Sequence, residues 1–159
     1  MMTFRNIFLV LLLTYASVVS AQESGAAKPY QHNLMPVPVS VQFTTERLAV
    51  DSSFKVAVRG HSDARLQSAI ARFVKRLEGR TVLSFQPGLA LADQTATLIV
   101  HCEGPGKEIP ALGENESYRI DITSRQAVLS APTVVGALRG LETVLQLLDT
   151  DRMGYFLSG

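Results

Sequence analysis

Glu114 and Glu116 are the first residues to weigh for chemistry, a close pair of carboxylates in the stretch Lys107 to Asn115 and just beyond it. A hydrolase of the two-carboxylate kind holds such groups about 5–10 Å apart on a rigid frame, one of them kept protonated by its surroundings. This stretch carries no hydrophobic period and reads as a solvated loop, where both glutamates ionise. Asn115-Glu116-Ser117 is also a glycosylation sequon, with meaning only in a eukaryotic host.

The other candidate constellations weaken in the same way. Ser52-Ser53-Phe54-Lys55 has the S-x-x-K spacing of a serine nucleophile and its lysine base, which needs a helix start and S-D-N and K-T-G partners. The residues lead instead into an alternating strand, which puts Ser52 and Lys55 on opposite faces. His101-Cys102-Glu103 places three ligand types in a row, but neighbours on a strand also point apart, and His32 and His61 lie in unrelated segments. Asp149 to Gly154 imitates the opening of a calcium loop, with Asp at the first and third places and Gly at the sixth. Met153 at the fifth place offers no oxygen, and the twelfth place falls beyond Gly159. We therefore expect no catalytic, cofactor-binding or metal-binding residue in this chain.

Arg65, Arg72, Lys75, Arg76 and Arg80 make one segment basic. Against them stands the whole chain, with 15 basic and 14 acidic residues and a formal net charge of +1. That balance leaves no field to gather nucleic acid, and no glycine-rich phosphate loop accompanies it. The basic residues read as a solvated helix face whose long stems cover apolar surface.

The elements that would hold these residues can be placed from periodicity. Leu34-Met35-Pro36-Val37-Pro38 is extended, because each proline disfavours helix in its predecessor. Val39, Val41 and Phe43 then alternate with polar residues, which predicts a first, half-buried strand. A second is expected over Arg47 to Val50 and a third over Phe54, Val56 and Val58, closed by Gly60. Ser62-Asp63 caps a helix to about Glu78, with Leu66, Ile70, Phe73, Val74 and Leu77 on one stripe and Gly79 at the C-cap. Ala96 to Cys102 is a nearly continuous apolar run, the pattern of a strand covered on both faces. Tyr118, Ile120 and Ile122 form a hairpin with Gln126 to Ser130 about the turn Ser124-Arg125. Thr133 caps a second helix striped by Leu138, Leu141, Leu145 and Leu148, widened by Val144. The fold class is α+β: a mostly antiparallel sheet with two helices packed on one face.

Residues 1–21 read as a signal peptide, with Arg5 before the apolar run Ile7 to Leu13 and Val19-Ser20-Ala21 ahead of a cleavage at Gln22. The run is too short to span a membrane, so no stable span is expected after cleavage. Residues 22–33 read as a flexible lead-in. The remainder is one domain's worth of chain. Cys102, the single cysteine, cannot form an internal disulfide, so stability must come from the core.

Two motifs carry a family resemblance: L-M-P-V-P at Leu34 to Pro38, and A-P-T-V-V-G-A-L-R-G-L-E-T-V-L-Q-L-L at Ala131 to Leu148. Together and in this order they closely resemble the N-terminal accessory domain of the exo-β-N-acetylhexosaminidases of glycoside hydrolase family 20, chitobiase type. The resemblance implies an accessory domain over residues 34–150, with residues 151–159 opening a linker to a catalytic barrel absent from this chain. Such enzymes remove terminal β-linked N-acetylhexosamine from chitin oligomers and glycoconjugates, using the substrate's own acetamido oxygen as nucleophile. Their acid/base glutamate and its neighbouring aspartate sit in an H-x-G-G-D-E motif; this sequence has none, so no catalytic residue carries over. The implied partner is the barrel of the same parent chain, docked through the helix bearing Gly136 and Gly140, unless those glycines serve close packing on the domain's own sheet. The implied location is exported: periplasmic or extracellular, with a lysosomal-type route in a eukaryote. The alternative function is a free-standing secreted glycan- or protein-binding module. Its aromatic residues, and the absence of tryptophan, give that reading no clustered platform.

Overall fold

The structure, a computed structural model, describes residues 32–159 apart from residues 87, 91–94 and 110. The signal-peptide reading over 1–21, and the lead-in up to residue 31, lie outside the described residues. Those residues hold seven strands and two helices: β1 (Arg47–Val50), β2 (Val56–Gly60), α1 (Ala64–Thr81), β3 (Leu98–Gly104), β4 (Arg119–Ile122), β5 (Ala127–Thr133), α2 (Val134–Gln146), β6 (Leu148–Asp151) and β7 (Gly154–Ser158).

They form two sheets. The larger has the order β2-β3-β5-β4 and the smaller the order β1-β7-β6. Counted over both, antiparallel ladders predominate: β1 with β7, β6 with β7, and β4 with β5. The β2–β3 and β3–β5 ladders are parallel: α1 carries the chain from the end of β2 back to the start of β3, and β4, antiparallel to β5, returns it between β3 and β5. The fold is α+β, and both helices pack on the same face of the larger sheet.

Alternation along the strands shows how that face is made. Val56 on β2, Leu98, Val100 and Cys102 on β3, and Ala127, Leu129 and Ala131 on β5 join one buried cluster. Leu66, Ile70, Phe73 and Leu77 of α1 and Leu141, Val144 and Leu145 of α2 complete it. Burying each large aliphatic side chain of this set contributes about 1.5–3 kcal/mol relative to exposure. The intervening residues Ala57 and Ile99 face the other way, into a small second cluster with Ala96. The apolar run around β3 is thus covered on both sides. The small sheet adds Leu48, Val50 and Leu157 to the main core.

Four local expectations differ from the structure. Helix α2 stops at Gln146, so Leu148, expected on its stripe, instead opens β6. Val39 to Phe43 is not a strand; Val39 and Val41 are exposed. Pro36 and Pro38 have no N–H to give a ladder, and among the described residues no strand pairs with this segment. Helix α1 runs past Gly79 because Thr81 continues its buried stripe, donating its hydroxyl to the Leu77 carbonyl at 2.8 Å. Val82 then closes it in the left-handed region at φ 58°, its N–H reaching the Glu78 carbonyl. Finally, the tail assigned to a linker carries β7, because Tyr155 to Ser158 pair residue for residue with Val50 to Arg47. Among the described residues, no helix is long and apolar enough to cross a membrane.

Candidate functional site

The candidate catalytic groups are tied into local structure. Glu114 accepts the Lys107 N–H at 2.9 Å through one carboxylate oxygen. Glu116 forms a two-point pair with Arg139 at 2.9 and 3.3 Å, and that guanidinium holds its carboxyl below the usual glutamate range. A hydrolytic acid would need the opposite shift. The open cleft at the start of α1 is lined by Asp63, Ala64, Arg65 and residues 105–108, and contains neither glutamate. Asp63 there is the helix cap: its carboxylate accepts the Leu66 N–H at 2.7 Å, which lowers its pKa. Arg65 stitches the other wall, donating to the carbonyls of Pro105 and Lys107.

The remaining constellations resolve as structure. Ser52 sits in a turn where Asp51 accepts from the N–H and hydroxyl of Ser53, which lowers the Asp51 pKa. His101 is half-buried and Cys102 fully buried, on opposite faces of β3; burial pushes the thiol's pKa up. Among the described residues, no group of three or more metal-ligating side chains comes together. Asp149 to Gly154 is the β6–β7 hairpin, with Asp151 accepting from Met153 N–H and from Arg47 at 2.7 Å. Two basic residues of α1 reach across to α2 at the surface: Arg76 pairs with Glu142, and Arg80 donates to the Leu145 carbonyl at the end of α2.

Helix α2 is the centre of these interactions. Thr133 caps it, its hydroxyl oxygen accepting the Gly136 N–H at 3.1 Å and its proton going to the Asn115 carbonyl at 2.7 Å. A methyl group added at Gly136 would collide with the Ser117 carbonyl; one at Gly140 would collide with Leu129 of β5. The glycines therefore bring α2 onto its own sheet and onto the segment leading into β4, the close packing that was the alternative to docking. The Tyr118 and Thr143 hydroxyls share a hydrogen bond at 2.6 Å. At the far end, the Gln146 amide clasps Met35, donating to its carbonyl and accepting its N–H, both at 2.8 Å. The two motifs singled out in the sequence meet at this point.

What sequence reasoning missed lies just beyond the clasp. Leu34 is buried, but Met35 is 69% exposed, Val37 73%, Val41 45% and Val39 fully exposed. At its other end the segment is fixed where the Thr44 N–H donates to the Gly159 carbonyl at 2.7 Å. The result is a bent segment without strand pairing, held at both ends, that leaves four apolar side chains exposed. Pro36 and Pro38 were the signal: they bar the segment from a sheet interior, so its alternation could not mean a core strand.

Comparison with known proteins adds the following. A family described as "beta-acetyl hexosaminidase like" matches residues 34–147. The beta-hexosaminidase subunit beta of Mus musculus is 32% identical over 93% of this chain and 28% of its own length. Beta-hexosaminidase 1 of Arabidopsis thaliana is 31% identical over 92% of this chain and 29% of its own. The chain thus spans less than a third of the length of these relatives. Among solved structures, a Flavobacterium johnsoniae chitobiase superposes with a TM-score of 0.73 at 35% identity, covering 80% of this chain and 20% of that one. An exo β-N-acetylglucosaminidase from Vibrio harveyi, at 16% identity and a TM-score of 0.58, shares the fold.

Proposed function

The chain belongs to the beta-acetyl hexosaminidase-like family, and from that premise we propose that it is the non-catalytic N-terminal domain of an exported β-N-acetylhexosaminidase. The parent removes terminal β-linked N-acetylhexosamine from chitin oligomers or glycoconjugates, and this domain supports the catalytic barrel by packing against it.

The observation that carries the reading is the asymmetry of coverage. Nearly all of this chain aligns with the mouse and Arabidopsis relatives, and it accounts for 28% and 29% of them. The side-chain chemistry agrees: the loop glutamates serve an ion pair and a backbone contact, and Glu116 is held ionised. Every described aromatic side chain is buried or half-buried, which gives a glycan no stacking platform and favours this reading over a free-standing glycan-binding module.

The test is enzymatic. The purified chain should release no p-nitrophenol from p-nitrophenyl N-acetyl-β-glucosaminide. F. johnsoniae chitobiase in which this chain replaces the matching fifth should still release it. Turnover by the chain alone, or a dead chimera beside an active parent, would overturn the reading. Export rests on Arg5, the Ile7 to Leu13 run and Val19-Ser20-Ala21, and is checked by N-terminal sequencing of the secreted product, expected to begin at Gln22.

A further inference from the structure

We propose that the ribbon Met35 to Val41, and not helix α2, is the surface on which the catalytic part of a hexosaminidase chain docks. The proposal rests on the domain reading above and names the contact that reading requires. Four apolar side chains at alternate positions, Met35, Val37, Val39 and Val41, stand 45% or more exposed along one short segment. Exposed apolar side chains concentrated in so short a segment of a small domain mark an interaction surface.

The segment is also anchored at both ends before any partner arrives. Leu34 is buried, the Gln146 amide clasps both backbone groups of Met35, and Thr44 is bonded to Gly159. Ordering cost on docking is correspondingly small, which favours binding by a fixed segment over a floppy one. Elsewhere α2 has no such freedom. Gly136 and Gly140 face the domain's own backbone and Leu129, while Arg139, Glu142, Thr143 and Gln146 are each committed within the domain.

The identity of the partner comes from two further facts. The stretch matching the family begins at Leu34, so the ribbon belongs to the shared domain. In the F. johnsoniae chitobiase, four-fifths of the chain lies outside the part this domain matches, a large neighbour tethered to it. Gly159 sits against Thr44 at the ribbon's far end, so in any chain continuing past β7 the next residues start beside the ribbon. The occupant is an apolar face of that tethered catalytic part.

The experiment uses the chitobiase chimera carrying this chain, with Val37→Lys and Val39→Lys introduced together. Charging an apolar contact should shorten the chimera's half-life to thermal inactivation by about tenfold or more, at unchanged KM for the nitrophenyl substrate. The same pair in the isolated full chain should leave its unfolding temperature unchanged, because both side chains are exposed there. A milder pair, Val37→Thr and Val39→Thr, should give an intermediate half-life. As a control, Ile109→Lys with Leu112→Lys charges an exposed apolar loop elsewhere and should have no effect. An unchanged half-life in the ribbon variant, or an effect confined to the loop variant, overturns the ribbon proposal and leaves the domain reading standing. A chimera inactive even with the native ribbon overturns the domain reading itself. If the isolated chain sediments as a dimer and the ribbon variant as a monomer, the ribbon's occupant is a second copy and the proposal is wrong.

Discussion

Gln146 and Met35, 111 positions apart, are joined by two reciprocal hydrogen bonds of 2.8 Å, the side-chain amide acting as both donor and acceptor to one residue's backbone. The glutamine amide does this with a single uncharged group; an ionised glutamate lacks the donor and lysine the acceptor. The clasp fixes where the proline segment crosses the end of α2.

Replacing Gln146 by alanine should therefore cost about 1–2 kcal/mol, the loss of two partly exposed hydrogen bonds. Gln146→Glu should fall close to it, because its carboxylate can accept the Met35 N–H but faces the Met35 carbonyl. Urea midpoints measure the stability, and faster hydrogen exchange at the Met35 amide would locate the loosening.

Gly136→Ala and Gly140→Ala test whether the α2 glycines serve the domain itself. Each alanine meets occupied space, so each should destabilise by about 1–3 kcal/mol despite alanine's better helix propensity. Gly136→Ala should be the worse of the two, since it strikes the Ser117 backbone whereas Gly140→Ala strikes the movable end of Leu129. Thermal unfolding of the isolated chain decides this without any partner present.

Val82 offers the reverse effect. A β-branched residue at φ 58° is held in a conformation that glycine adopts freely. Val82→Gly should raise stability by about 1 kcal/mol, and Val82→Asn by a smaller amount, read as an increase in unfolding temperature. Because Val82 is 89% exposed, no core contact is lost in exchange.

Acid should unfold the domain partly through Asp63. Its folded pKa is lowered, chiefly by the Leu66 N–H it accepts, so the unfolded chain takes up the proton first as pH falls. Its contribution is complete above the unfolded aspartate value and is lost as pH descends from there through the lower folded value. Asp63→Ala should lower neutral-pH stability by about 1 kcal/mol and flatten that part of the acid limb. Asp63→Asn, still a good cap, should keep most of the neutral stability and also flatten it.

Cys102 should resist thiol reagents in the native state. It is fully buried, its thiol is shifted up by that burial, and the sulfur donates to the Gly104 carbonyl at 3.2 Å. Labelling by Ellman's reagent should track global unfolding across a urea series.

The features legible in the sequence were those set by local period. The stripe Leu66, Ile70, Phe73, Leu77 names the inner face of α1, and the alternation around Ser124-Arg125 names the β4–β5 hairpin with its register. Asp63 and Thr133 cap the helices they precede because short oxygen side chains reach the free N–H groups there. The parallel pairing of β2, β3 and β5 was not legible, since it depends on α1 returning the chain between β2 and β3 and on β5 inserting between β3 and β4. Nor was the sense of the Val39–Phe43 alternation, because period alone cannot say whether a row of apolar residues faces a core or solvent. The direction of Gly136 and Gly140 depended on Ser117 and Leu129, which only tertiary structure brings to α2.

The pairing of β1 with β7 has a consequence for the order in which the molecule is built. Arg47 to Val50 leave the ribosome about a hundred residues before Tyr155 to Ser158, the strand they need. Throughout that interval Leu48 and Val50 lack Leu157, and the β1 edge is an open template for pairing with another nascent chain. Strand β7 thus acts as the latch on a strand that emerged long before it. Nascent chains of increasing length should resist protease around β1 abruptly, when Leu157 has emerged, rather than gradually with length.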